Sequence, residues 1–237
     1  MIEVKDLTFS YDSQTYIYEH TNITFNKGKT TIVLGKNGTG KTTLFHLITD
    51  ILIPSFGTIK KEADLILIPD QPVLYDYLTG YEYLDYIKIL SKHKLDDQVI
   101  DLVKILDMKT HMGKLIHEMS LGMKHKLALL SAMLLNYETY LIDEPLTALD
   151  PPSQKEMIAF FKMLKEQGKT LIISTHMIHI AYQLADELVI LNGEDVIKIE
   201  EKFNDYETFE KSIIKHFQTV SEHETTIDID SKKEAKR

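Results

Sequence analysis

Apolar and polar positions alternate from Ile2 to Phe9, which predicts a half-buried strand. Residues 22–25 predict a second strand, stopped by the turn signal Asn26-Lys27-Gly28-Lys29. Residues 30–34 are β-branched and almost continuously apolar, as a strand buried on both faces requires. A glycine-rich loop follows, and helical spacing begins at Thr42 and runs to Ile48. Residues 65–68 form another short apolar run, closed by Pro69. Between about Leu78 and Asn136 strand character is missing, and helical patterns cover 83–90, 99–106 and 126–135. Strand signals return at 140–142, 171–173 and 188–191, with an amphipathic helix marked by Met157, Phe160, Phe161 and Leu164. A last apolar stripe joins Phe209, Ile213, Ile214 and Phe217, and the charged residues 228–237 predict a frayed end. Strands alternating with helices on both sides of an all-helical stretch imply an α/β core with a helical insertion.

Composition narrows the classes. With 43% apolar and 27% charged residues the chain is an ordinary globular protein with a sizeable core. No run approaches the roughly 18 apolar residues of a membrane span; the densest, 127–135, contains Ser131. Glu3, Lys5 and Asp6 follow Met1 directly, so a signal peptide is not expected. The net charge of −9 argues against a general nucleic-acid binder. With no cysteine there are no disulfides, thiolate metal sites or cysteine nucleophiles.

Gly35-Lys36-Asn37-Gly38-Thr39-Gly40-Lys41-Thr42 fits G-x-x-x-x-G-K-[ST] between a predicted buried strand and a helix, the context in which that pattern cradles phosphates. Backbone N–H groups and the helix N-terminus face the anion, with Thr43 continuing the first turn. Lys41 reaches the β- and γ-phosphates, and the Thr42 hydroxyl can hold Mg²⁺. The chain is therefore expected to bind a nucleoside triphosphate. A carboxylate is needed beyond Thr42, and Asp143-Glu144 ends a predicted buried strand: Asp143 for the metal, Glu144 to polarise an attacking water.

Further residues spell a family. Met119-Ser120-Leu121-Gly122-Met123 opens an apolar helix between the two phosphate motifs and resembles the signature of ATP-binding cassette proteins, usually Leu-Ser-Gly-Gly-Gln. Gln71, after Pro69, resembles the family's Q-loop glutamine; Ala148-Leu149-Asp150 is similar to its D-loop; His176, ending Ser174-Thr175-His176, resembles its switch histidine. Tyr11 resembles the aromatic that stacks on adenine, with Tyr16 and Tyr18 in the same loop as rivals. No Asn-Lys-x-Asp guanine motif is present. Leu121 and Met123 replace a glycine and a glutamine of the usual signature, a form similar to cassettes of the bacitracin-resistance and drug or peptide exporter type; His125 and Lys126 stand where that group more often has glutamine and arginine.

The resemblance implies a P-loop NTPase core with an N-terminal antiparallel β-subdomain and an inserted helical subdomain, in one domain over 1–237. The β-subdomain and core take 1–71 and 137–200, the helical subdomain 72–136, a C-terminal helix 201–227 and a flexible tail 228–237. It implies ATP and Mg²⁺ as ligands, with Glu144, His176 and Gln71 as catalytic residues and Gln71 also sensing Mg²⁺. Ser120, Gly122, Met123 and Asp150 would face the nucleotide of a second, head-to-tail cassette. Ser120 is equally an ordinary helix N-cap, and both roles can hold at once. His176 and His179, three apart, also suggest a metal pair, but further ligands are missing nearby.

Five tyrosines (Tyr75, Tyr77, Tyr81, Tyr83 and Tyr86) crowd the stretch after Gln71. Some must be helix core; the remainder would dock the membrane subunit between Gln71 and Tyr86. The implied function is the ATPase subunit of an exporter, cytoplasmic and held at the membrane's inner face by a separate permease. An importer subunit is the nearer alternative, and a non-transport cassette acting on DNA or ribosomes the more distant one.

Overall fold

The computed structural model describes residues 1–12, 14–91, 97–147, 149–193, 195–199 and 203–218. Three strands, β1 (Ile2–Ser10), β2 (Tyr16–Phe25) and β4 (Phe56–Lys61), form an antiparallel sheet in the order β2-β1-β4. The intervening β3 (Thr30–Gly35) belongs to a second sheet together with β5 (Leu65–Ile68), β6 (Thr139–Ile142), β7 (Thr170–Thr175), β8 (Glu187–Asn192) and β9 (Asp195–Ile199). Its order is β5-β6-β7-β3-β8-β9, parallel throughout except for the final β8–β9 hairpin.

Pleating explains how one sheet serves two cores. On β3, Ile32 and Leu34 face one cluster and Val33 the opposite one, all fully buried. The first cluster packs α4 (Leu121–Leu134), α5 (Pro151–Glu166) and α6 (Ile178–Leu184) on the sheet. The second joins α1 (Lys41–Ile48) and the antiparallel sheet. Each large aliphatic or aromatic side chain so buried contributes about 1.5–3 kcal/mol, so the loops at the carboxyl ends of the parallel strands stand on a stiff base.

Helices α2 (Gly80–Ser91), α3 (Asp97–Ile105) and α4 lie in the all-helical stretch anticipated between Leu78 and Asn136. Thr79 and Glu82 exchange hydrogen bonds at the start of α2, a capping box that begins the helix ahead of the apolar pattern at Tyr83. Helix α4 likewise starts at Leu121, ahead of 126, because Ser120 caps it by accepting from Met123 N at 3.3 Å.

Four elements depart from the sequence pattern. Strand β2 starts at Tyr16 because register shifts against β1 and the left-handed His20 (φ 47°) interrupt its alternation. Tyr16 and Tyr18 are thus strand residues, not loop residues. Strand β4, helix α6 and strand β9 carry no apolar run long enough to announce themselves; β4 alternates only between exposed and half-buried positions. The C-terminal stripe forms a helix over 206–218, burying Phe209 and Ile213. The expected continuation over 219–227, the tail 228–237 and Ala148 lie outside the described residues. Among the described residues no helix is long and apolar enough to cross a membrane.

Candidate active site: a nucleotide cleft and a signature cleft

A cleft of about 410 Å³ opens at the carboxyl ends of β3, β6 and β7. Its lining includes Tyr11, Gly38, Lys41, Thr42, Glu144 and His176, residues drawn from across the whole sequence. The parallel register makes this possible. Ile142 pairs with Ile173, so Asp143 and Glu144 leave β6 beside Ser174, while Leu34 of β3 pairs with Thr175.

The loop from Gly35 to Thr42 owes its shape to two residues above all. Gly40 sits at φ 95°, and a Cβ there would fall 2.7 Å from Ile17 Cγ2 and 2.8 Å from the Tyr18 hydroxyl. Gly38, at φ 87°, has nothing within 4 Å of its would-be Cβ, so its glycine is dictated by conformation alone. Tyr18 is fully buried and donates to Gly40 O at 2.8 Å, with burial pushing its phenol far above the ordinary value. This corrects its candidacy as an adenine platform: Tyr18 props the phosphate loop from behind. Tyr11, 64% exposed, lines the cleft with its hydroxyl 3.1 Å from Thr43 Oγ1 and its ring edge-on to Phe9. Tyr16 is exposed and does not line it.

At the phosphate end the side chains form one connected network. Lys41, 6% exposed, donates to Gly35 O at 2.8 Å and Lys36 O at 2.9 Å and pairs with Glu144 Oε1 at 3.2 Å. Thr42 Oγ1 donates to Asp143 Oδ2 at 2.6 Å, and Ser174 Oγ donates to Asp143 Oδ1 while accepting from Glu144 N. His176 Nδ1 lies 3.1 Å from Glu144 Oε2, which also accepts from Thr147 Oγ1 at 2.8 Å. Burial alone would raise the Glu144 carboxyl; Thr147, Lys41 and His176 together hold it below the ordinary value. Its backbone is left-handed, φ 46°, a strain of about 1–3 kcal/mol of the kind that gathers at functional sites.

Thr42 and buried Asp143 present hard oxygen atoms side by side, which suits Mg²⁺. Among the described residues no three His, Cys, Asp or Glu converge as metal ligands. Mg²⁺ takes few protein ligands and completes its shell with phosphates and water. His176 is engaged with Glu144 and exposed His179 lies on α6, so the two form no metal pair.

Gln71 and the Lys36 side chain sit apart from the cleft. Gln71 is exposed and does not line the cleft, whereas its half-buried neighbour Asp70 does. Lys36 directs its ammonium to the Phe217 ring, 5.8 Å from the centroid, so its part in the loop is played by the backbone. Asp150 caps α5 by accepting from Ser153 N at 2.9 Å, ahead of Pro151. Ser120, Gly122, Met123 and Asp150 line a second cleft of about 380 Å³ that shares no residue with the first.

Sequence reasoning missed Ser174, Thr147, Asp70 and the supporting role of Tyr18. Ser174 was readable in principle, since a polar residue within an apolar strand of a buried sheet needs a partner.

The ABC transporter family profile matches residues 18–147, more than half of the chain. The chain belongs to the ATP-binding cassette transporter ATPases. Its cassette is 31% identical over 192 residues to the ABC transporter ATP-binding protein NatA of Bacillus subtilis, covering 74% of this chain and 78% of that one. It is 29% identical over 211 residues to the bacitracin transport ATP-binding protein BcrA of Enterococcus faecalis, covering 84% and 68%. An energy-coupling factor transporter ATP-binding protein, EcfA of Methanococcus maripaludis, is also 29% identical, over 230 residues covering 88% and 83%. The fold superposes on a dimeric ATP-binding cassette bound to ADP and Pi with a TM-score of 0.73 at 19% identity, covering 86% and 100%. The cassette is thus an ATP-binding, ATP-hydrolysing subunit of an ABC transporter.

Proposed function

We propose that two copies of this cassette, or this cassette and a paired one, close head to tail around two ATP–Mg units and drive export through a separate membrane subunit. The observation that carries this reading is the division of phosphate-facing groups between two clefts of one chain. Lys41, Thr42, Asp143, Glu144 and His176 serve one, and the Ser120-capped start of α4 opens the other. Both clefts are open to solvent, and the signature cleft of a partner would complete the nucleotide cleft.

Thr42 and Asp143 would hold Mg²⁺ together with the phosphates, and the ion would neutralise charge that develops in phosphoryl transfer. The protein's own groups do the rest. Lys41 turns from Glu144 toward the phosphates, and its departure removes a cation that depresses the Glu144 carboxyl. Glu144 therefore becomes a stronger base when substrate is in place, and His176 keeps the carboxylate oriented toward water.

Membrane docking falls between Gln71 and Tyr86. Tyr83 is buried there, while Val73, Tyr75, Tyr77 and Tyr81 are more than half exposed, an aromatic-rich surface of the kind interfaces use. The energy-coupling factor relative keeps import as a second reading of direction. The decisive experiment reconstitutes the cassette with its membrane subunit in vesicles and follows ATP-driven flux. Accumulation inside inverted vesicles supports export. Flux the other way reverses the direction, and ATP hydrolysis indifferent to any membrane subunit would remove the transport reading.

A further inference from the structure

The loop after β5 carries two adjacent polar residues, Asp70 and Gln71, and of the two Asp70 lines the cleft. Strand β5 runs parallel to β6 with Ile68 opposite Ile142, and Asp143 N donates to Ile68 O at 2.9 Å. The residue two past Ile68 is thereby brought alongside Asp143 and Glu144. That residue is Asp70, half-buried and lining the cleft with Lys41, Thr42, Glu144 and His176. Gln71, exposed, is outside it.

Asp70 is also pinned from behind. His125 on α4 is 1% exposed, and its Nε2 lies 2.6 Å from the Asp70 carbonyl oxygen, as a donated N–H requires. Its Nδ1 is buried without a protein partner, and burial lowers the imidazole's pKa, which favours the neutral ring. The helix that holds Asp70 is the one Ser120 caps.

We propose that Asp70, and not Gln71, is the side chain through which this loop meets the water shell of the nucleotide-bound metal, and that His125 is the positioning residue that holds it there. The proposal rests on the ATP–Mg reading above. A carboxylate differs from an amide here in one measurable way. With Asp143 and Glu144 it makes a third negative charge near the triphosphate, repelling metal-free ATP and accepting hydrogen bonds from metal-bound water once the metal is present. The metal's contribution to ATP affinity therefore passes in part through Asp70.

The test is the ratio of ATP affinities in Mg²⁺ and in EDTA, measured by calorimetry on the whole chain, with thermal melting as the folding control. D70N should shrink this ratio by about tenfold or more, the loss typical when a residue supporting a metal's ligand shell is removed. Its metal-free affinity should rise, which a structural defect would not cause. Q71A should match the wild type. H125L, which keeps bulk but loses the donor, should move toward D70N, and H125Q, which restores a donor, should recover the wild-type ratio. An unchanged ratio in D70N, or a change in Q71A alone, overturns the assignment of Asp70. A wild-type ratio in H125L overturns the role of His125. Wild-type protein that binds ATP in neither buffer overturns the nucleotide reading itself, and this proposal with it.

Discussion

Helix α1 starts on Gly40 in a left-handed conformation with no side-chain cap, whereas α4 starts on Ser120 in extended conformation with its hydroxyl accepting from Met123 N. Both helix starts would otherwise leave backbone N–H groups unpaired. Helix α4 satisfies part of that need from its own sequence. Helix α1 is preceded by a glycine loop that contributes no side-chain acceptor, and the nearest cation, Lys41, is turned back onto loop carbonyls and Glu144. One end is built to need an anion; the other is stable without one and open to an anion from elsewhere. A chain carrying one of each can hold its own nucleotide firmly and a partner's only on contact, which suits a dimer that forms and separates in each cycle.

The largest expected effect tests whether both ends act on the same ATP. Glu144→Gln preserves size and hydrogen-bonding reach but removes the base, so turnover should fall by a factor of about 10²–10⁴ while ATP still binds. The trapped protein should run as a dimer on a sizing column at high concentration. Adding Ser120→Arg should return it to monomer with its own ATP site intact. Were E144Q to remain monomeric with saturating ATP, and with its membrane subunit present, the α4 end would have no anion to meet.

Lys41→Ala sharpens the contrast from the α1 side. A hydrogen bond to a charged group contributes about 1.5–3 kcal/mol, or about 10- to 150-fold in affinity. ATP affinity of the single chain, measured by calorimetry, should fall by that much. A K41A protein with wild-type affinity would take the phosphates away from α1 altogether.

Tyr11→Ala should weaken ATP binding by about 1–3 kcal/mol, the range for base–aromatic stacking. Tyr16→Ala should do little, as Tyr16 does not line the cleft. A larger loss at Tyr16 would move the base to the far side of β2. GTP competition in the same assay separates base recognition from phosphate binding.

The sequence made the α1 end more legible than the α4 end, and the reason is physical. A buried strand, three glycines and a lysine in fixed order admit few other uses, so Gly35 to Thr42 could be assigned from residue types alone. Ser120 is also a good ordinary cap, and its structure shows that ordinary role first. The parallel core strands announced themselves because both faces are buried, as the β3 pattern shows. Edge strand β4 and the irregular β2 did not, since half-exposed pairing leaves little apolar periodicity. Gln71 against Asp70 was beyond motif reading. Which of two adjacent polar residues enters a cleft depends on how the loop leaves β5, and on His125, 55 residues away in the chain.

The smallest effect is the most direct probe of the difference between the two helix starts. If the Ser120 hydroxyl serves α4 as a cap in the single chain, Ser120→Ala leaves one N–H of the first turn without its acceptor. Loss of such a cap costs about 0.5–2 kcal/mol, readable as a lower urea midpoint with an unchanged slope. Affinity of the isolated chain for ATP should not move, because Ser120 lines the second cleft, apart from Lys41 and Thr42. Ser120→Gly should recover most of the stability, since glycine at an N-cap costs only a few tenths of a kcal/mol. It should not recover dimer formation in the Glu144→Gln background if the hydroxyl also meets the partner's phosphate. A glycine variant that restores both would reduce Ser120 to a cap, and would leave the amides of α4 as the whole of the second anion site.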